Sequence, residues 1–193
     1  MTQVATPIRS TCKMTVRQFR QLGEDPPGAR LELVDGEIAV SPSPQHPHAY
    51  AVPQMLSILV EHVRASRLGI VLYDLDTALD DYNSRRPDIL FFSTARQHLV
   101  TDTNPEGVPD LAVEVISPSG VRIDRRDKFA QYAAAGIAFY WLVDPAAKTF
   151  EAYARRDGAY REVARGGGDE NVTAEPFADL SIDLARLWWP PKT

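Results

Sequence analysis

Residues 109–144 read PDLAVEVISPSGVRIDRRDKFAQYAAAGIAFYWLVD, and this stretch decides the fold. Two apolar runs, LAVEVIS from Leu111 and FYWLVD from Phe139, flank a helical pattern. Runs this apolar suit strands of a sheet that is covered on both faces. Between them Phe129, Tyr132 and Ala133 form an apolar stripe, with Asp124 placed as an N-cap and Gly136 as a C-cap. Strand, helix and strand in that order predict a right-handed crossover joining a parallel pair.

Upstream, RPDILFFS (residues 86–93) reads as one strand and GIVLYDLDTALD (69–80) as another. Val52, Met55, Leu56, Leu59, Val60 and Val63 recur at helical spacing, which predicts a long amphipathic helix over 49–68. Pro53 is tolerated if it falls in the first turn. Before that helix, SPSPQHPH (41–48) reads as a proline-rich loop. ARLELVDGEIAVSP (29–42) is a hairpin turned at Asp35-Gly36. Near the start, Thr15 caps a short helix with Val16, Phe19 and Leu22 on one face. Downstream, TFEAYARRDGAYREV (149–163) is a second hairpin, and the tail from Phe177 to Trp189 folds back through Leu180, Ile182, Leu184 and Leu187. The sum is an α/β fold, a mixed sheet flanked by helices. It forms one domain over 14–193 behind a loose arm, 1–13.

The 193 residues suit one domain, since about 100–200 residues per domain is usual. With 44% hydrophobic and 24% charged residues, a core forms without staples. The lone Cys12 excludes an internal disulfide and reads as a packed side chain. No zinc spacing is present, and nothing calls for an oxidising compartment. No apolar run approaches the ~20 residues that span a bilayer, and the N-terminus lacks a signal-peptide core, so a cytoplasmic protein with no membrane partner is expected. A net charge of -5 argues against coating nucleic acid through a basic surface. It leaves room for a local basic rim.

Glu114 is the most informative residue. Strand alternation turns Leu111, Val113 and Val115 to one face, and Ala112, Glu114 and Ile116 to the other. A carboxylate on a buried strand is costly unless it is paired or bound to metal. The structural alternative is an ion pair with Arg86 or Arg122. Asp88 opens a second strand behind a proline. Two carboxylates from neighbouring strands make an oxygen-rich site suited to Mg2+ or Mn2+. Lys128 shares a helical face with Asp124 and Tyr132 and can supply positive charge. Its plain reading is a surface pair with Asp124. Arg85, Arg86, Arg122, Arg125 and Arg126 are candidate phosphate contacts, or else a solvated charge run. His46 and His48 lack a third zinc ligand and read as a loop pair, although His48 can approach the site. Ser117 and Ser119 look like strand-end caps around Pro118. Phe139, Tyr140 and Trp141 read as core, and Trp188 and Trp189 as interface candidates.

The segments LELVDGEI, RPDILFFS, PDLAVEVISPS, DKFAQYAAAGIAFYWLVDP and the later hairpin resemble, in that order, the Uma-type endonuclease family of bacteria. That family is similar to restriction endonucleases of the PD-(D/E)XK superfamily. The resemblance spans Leu31 to Tyr160 and implies a restriction-endonuclease-like mixed sheet flanked by helices. It implies a catalytic set in which Asp88 and Glu114 hold the metal. The superfamily lysine stands two residues after the glutamate, where this chain has Ile116; Lys128, on the following helix, takes that part. A further glutamate from an early element falls on Glu32 or Glu37, with Glu37 favoured.

The implied function is metal-dependent hydrolysis of DNA phosphodiester bonds, with Arg86, Arg122, Arg125, Arg126 and His48 around the substrate. Such nucleases often act as homodimers. The alternative is a catalytically inactive module of the same fold that binds nucleic acid or a protein. A hydrolase of another phosphate ester would share the site.

Overall fold

The computed structural model describes residues 13–42 and 46–189. The expected arm therefore lies outside the described residues apart from Lys13. Thr15 caps α1 (Val16–Phe19) through a complete capping box with Gln18, and a 3-10 turn, Arg20–Leu22, extends it. Val16 and Phe19 are buried, but Leu22 is exposed.

The hairpin β1 (Ala29–Val34) and β2 (Glu37–Pro42) turns at Asp35-Gly36, both with positive φ, as that two-residue turn requires. Helix α2 (His46–Ser66) begins in what reads as a loop, so His48 lies in its first turn. Pro53 sits deeper than the first turn. It is tolerated because it is exposed, and the Ala49 residue whose carbonyl it leaves free also faces water. The buried stripe Ala51, Met55, Ile58, Leu59 and Val63 faces the main sheet.

The stretch expected as one strand over 69–80 breaks in two, β3 (Gly69–Tyr73) and β4 (Thr77–Asp80). Asp74 takes a left-handed conformation (φ 53°) and turns the chain from one sheet to another. Next come β5 (Asn83–Arg85), which carries no sequence signal of its own, β6 (Ile89–Ser93) and β7 (Leu111–Val115). A π-helical turn, Ile123–Lys128, runs into α3 (Phe129–Ala135), closed by Gly136 in the left-handed region. The remaining strands are β8 (Phe139–Asp144), β9 (Thr149–Arg156), β10 (Ala159–Gly167), β11 (Asn171–Ala174) and β12 (Phe177–Asp183).

The main sheet has the order β10-β9-β8-β7-β6-β3. Among the described residues only β7 and β8 pair in parallel, Glu114 opposite Leu142, and the π turn with α3 forms their crossover. Leu111, Val113 and Val115 pack with α2 and with Ile182, Leu184 and Leu187 of the tail. Ala112 and Ile116 pack with Tyr132, Tyr140 and Leu142. A smaller sheet, β2-β1-β5-β4, lies beside the α3 face, and β11 pairs with β12.

Trp188 is buried in the α2-side core, with its indole N–H on the Gly168 carbonyl. Only Trp189 stays half exposed, against His46 and Tyr50, so the interface expectation does not hold for Trp188. No helix among the described residues is long and apolar enough to cross a membrane.

Candidate active site

Pro87 separates the small sheet from the main one, and Asp88 stands at that junction, one residue before β6. It is 4% exposed. Its Oδ2 accepts the Val115 N–H at 2.8 Å and faces His48 Nε2 at 3.2 Å; its Oδ1 accepts Arg30 Nη1 at 3.1 Å. Burial alone would raise its pKa. The hydrogen bond and charge of His48, with Arg30 and Lys128, outweigh burial and hold the carboxyl well below the usual range.

Next to Val115, Glu114 points to the opposite face of β7, as alternation dictates. Its Oε1 accepts the Tyr132 hydroxyl at 2.7 Å, and its Oε2 accepts Lys128 Nζ at 2.9 Å. Burial pushes its pKa up to about 8, with Lys128 pulling the other way and Asp88 and Asp124 adding to the rise. The partner expected for a structural ion pair, Arg86 or Arg122, is elsewhere; the counter-ion is Lys128.

Lys128 is buried, not a surface residue. Its ammonium lies 3.3 Å from Asp124 Oδ1 and 3.9 Å from Glu32 Oε1 as well. Burial would lower its pKa, but Glu114, Glu32, Asp124 and Asp88 together raise it and hold the amine protonated. Asp124 is inside the π turn instead of capping the helix, because the helical segment already starts at Val121. A π-helical insertion widens the turn and is common at functional sites. Here Lys128 and Tyr132 reach Glu114 directly, and Asp124 joins the cluster through Lys128. The approach is close: a Cβ on Gly120 would lie 2.9 Å from Asp124 Oδ2.

Glu32, not Glu37, reaches this cluster. Arg85 Nη1 donates to Glu32 Oε2 at 3.0 Å and the Arg86 N–H donates to Oε1 at 2.9 Å. Burial raises the pKa of Glu32, but Lys128 and Arg85 bring it below its ordinary value. Glu37 pairs with Val34 at the hairpin tip and is exposed. It lies on the same face as Glu32 but beyond the reach of the main sheet, so it is not at the site.

The arginines expected at the substrate divide. Arg86 is spent on Asp76 at 2.8 Å and on Asp25. Arg125 binds both oxygens of buried Glu151, at 2.8 and 3.0 Å, with Asp144 nearby. These two are structural ion pairs in the free protein, while Arg122 and Arg126 face solvent. His48 does reach the site, through Asp88.

Sequence reasoning did not place Arg30, Asp124 or Tyr132 at the site. Arg30 and Glu32 alternate with Leu31 and Leu33, which was the available signal that both point away from the apolar face. Asp124 and Tyr132 share the face of Lys128 at spacings of four residues, but a helix alone does not show that this face is turned inward.

Four carboxylates (Glu32, Asp88, Glu114, Asp124) thus stand with three permanent cations (Arg30, Arg85, Lys128), one negative charge in excess. One proton, on Glu114 or on His48, would balance it; so would a bound cation. Among the described residues no three His, Cys, Asp or Glu side chains form a ready metal cage. The donor set of Asp88 and Glu114 still fits a hard divalent ion, because Mg2+ is commonly held by one or two carboxylates and keeps several waters.

Residues 16–185 match the Uma2 family, described as "Putative restriction endonuclease". The chain belongs to the Uma2 family. Among solved structures it is similar to one titled "Crystal structure of a putative nuclease belonging to DUF820 from Anabaena variabilis ATCC 29413", with TM-score 0.74 and 23% identity, covering 90% of this chain and 97% of that one. That likeness shows a shared fold, which together with the family match is the restriction-endonuclease-like mixed sheet expected from the sequence. No curated protein matches the chain.

Proposed function

We propose that this Uma2 protein is an endonuclease that hydrolyses DNA phosphodiester bonds with Mg2+ or Mn2+ held by Asp88 and Glu114. The carrying observation is the buried Lys128 amine, 2.9 Å from Glu114, beside the Asp88 carboxylate that is tied to the next residue of the same strand. When bound, such an ion polarises a phosphoryl oxygen and lowers the pKa of a water.

The chain's own residues do the rest. Arg30, His48 and the Val115 amide keep Asp88 ionised and fixed in direction. The Tyr132 hydroxyl holds one oxygen of Glu114 and leaves the other toward Lys128. Lys128 stays charged, so its part is to stabilise negative charge developing on the phosphate, not to accept a proton. Arg122 and Arg126 offer exposed charge for the flanking backbone.

The test is Mg2+-dependent cleavage of plasmid by the purified protein, with Mg2+ binding followed by calorimetry. Glu114→Ala should lose both; equal cleavage by that variant removes the reading. On this reading the protein acts in the cytoplasm, where it meets DNA. We also propose a homodimer, so that each copy addresses one strand; sedimentation at cleavage concentrations tests it.

A second reading, an inactive module of this fold that binds nucleic acid or a protein, draws support from Ile116 and from the internal donors that already satisfy Asp88 and Glu114. It predicts no heat on titration with Mg2+ and a Glu114→Gln protein at least as stable as the parent.

A further inference from the structure

Arg30, on β1, joins the buried site to solvent. Its Nη1 holds Asp88 at 3.1 Å, while its Nη2 donates to the Arg86 carbonyl and faces Asp74 Oδ1 at 3.0 Å. Of the side chains that touch Asp88 or Glu114, Arg30 is the most open, at 26% against 11% for His48, 9% for Lys128 and none for Tyr132. An anion coming from solvent therefore meets Arg30 first. Asp74 is 54% exposed and has no other ion-pair partner among the described residues. It sits at the corner between β3 and β4, so its carboxylate is presented to Arg30 by the turn itself. Beside this contact the Nε–H of Arg30 is buried and donates to no described residue. Nε and Nη2 form the guanidinium edge that grips phosphate in bidentate fashion, and one of its two donors is unused.

We propose that Arg30 is a binding site for a phosphodiester oxygen of the substrate, and that Asp74 occupies this site as an internal anion until the phosphate displaces it. This deepens the nuclease reading above and rests on it. The exchange keeps the charge of Arg30 balanced. It also costs little on the carboxylate side, because Asp74 is already half hydrated and turns out to water. Arg30 keeps Nη1 on Asp88 throughout, so the captured phosphate is delivered next to the residues proposed for chemistry. Asp74 then sets a threshold: a ligand must offer a better anionic acceptor than a carboxylate held by one contact.

The test is anisotropy of a short fluorescein-labelled DNA duplex bound by the full chain, in EDTA and again with Ca2+, for four proteins: parent, Asp74→Asn, Arg30→Gln and the double variant. Asparagine keeps the left-handed corner and removes the charge. Loss of an exposed competing carboxylate should tighten binding about two- to fivefold. Arg30→Gln should weaken it about tenfold, as for loss of a hydrogen bond to a charged group. In the Arg30→Gln background, Asp74→Asn should bring no comparable gain. The inference is overturned if Asp74→Asn tightens binding equally in both backgrounds, which is a general charge effect, or weakens it, which makes Asp74 only a support for Arg30. It is also overturned if Arg30→Gln, checked as folded by its thermal melt, binds like the parent; the nuclease reading survives these outcomes. If none of the four proteins binds DNA in either condition, the nuclease reading fails and takes this inference with it.

Discussion

Lys128→Met tests whether the ammonium is the counter-ion of the buried carboxylates. Methionine keeps the length and apolar stem of the side chain and removes its charge. In the parent that charge faces Glu114 at 2.9 Å, Asp124 at 3.3 Å and Glu32 at 3.9 Å, all at 5% exposure or less. Removing one partner from a buried ion pair costs about 3–5 kcal/mol, because the charges left behind are uncompensated. That loss is expected in full only above the raised folded-state pKa of Glu114, which already stands at about 8 in the parent, and it should shrink on acidification. Glu114 and Asp124 already have raised pKa values in the parent, and without Lys128 they rise further. The folded variant then holds protons that the unfolded chain releases at ordinary carboxyl values. Stability gained in this way is present at low pH and disappears as pH rises through the folded-state pKa. One additional proton held across two pH units returns about 2.7 kcal/mol. Urea unfolding at about pH 9.5 and about pH 7.5 measures this directly, from the midpoint and slope at each pH. Equal losses at the two pH values, or a loss under about 1 kcal/mol at the higher one, would refute the argument.

Other variants and conditions address the remaining parts of the site. Mg2+ or Mn2+ binding should strengthen as pH rises toward the Glu114 pKa of about 8 and should release a proton; calorimetry in two buffers of different ionisation enthalpy would reveal a proton count of zero if Glu114 is not the group displaced. Arg85→Met takes the nearest cation from buried Glu32, leaving it the Arg86 N–H and Lys128, and should lower stability by up to about 3–5 kcal/mol, whereas exposed Glu37→Gln should stay within about 0.5 kcal/mol and leave plasmid cleavage unchanged. Gly120→Ala should cost about 1–3 kcal/mol in a thermal or urea melt, since its methyl meets Asp124 Oδ2 and Ser117 Oγ at 2.9 Å; a neutral result would mean that this turn gives way freely.

Much of the frame was legible in the chain. Periodicity located the parallel pair β7–β8 and its helical crossover, because an apolar run buried on both faces and a helical stripe are both local patterns. Alternation also placed Glu114 opposite the α2-side core correctly. The failures share a physical cause: they depend on where the chain bends or on what comes from far away. Asp74 breaks a run that alternates well, since a single left-handed residue costs an aspartate little and leaves the pattern intact. The choice between Glu32 and Glu37 turned on β5, a three-residue strand with no pattern to detect, which sets Arg85 against β1. Arg86 and Arg125 looked like phosphate contacts because their partners Asp76, Asp25, Glu151 and Asp144 are assembled only by the fold.

Lys128 touches Glu114 on the main sheet and Glu32 on the small one, so a single amine latches two separately hydrogen-bonded layers. Rotation of one layer against the other stretches at least one of these contacts. A polymer wedged between them would have to release this clasp, and only an incoming ion or phosphate can make up for the electrostatic attraction given up. Stiffness of the joint and readiness for chemistry therefore reside in the same atoms, and a variant that loosens one will alter the other.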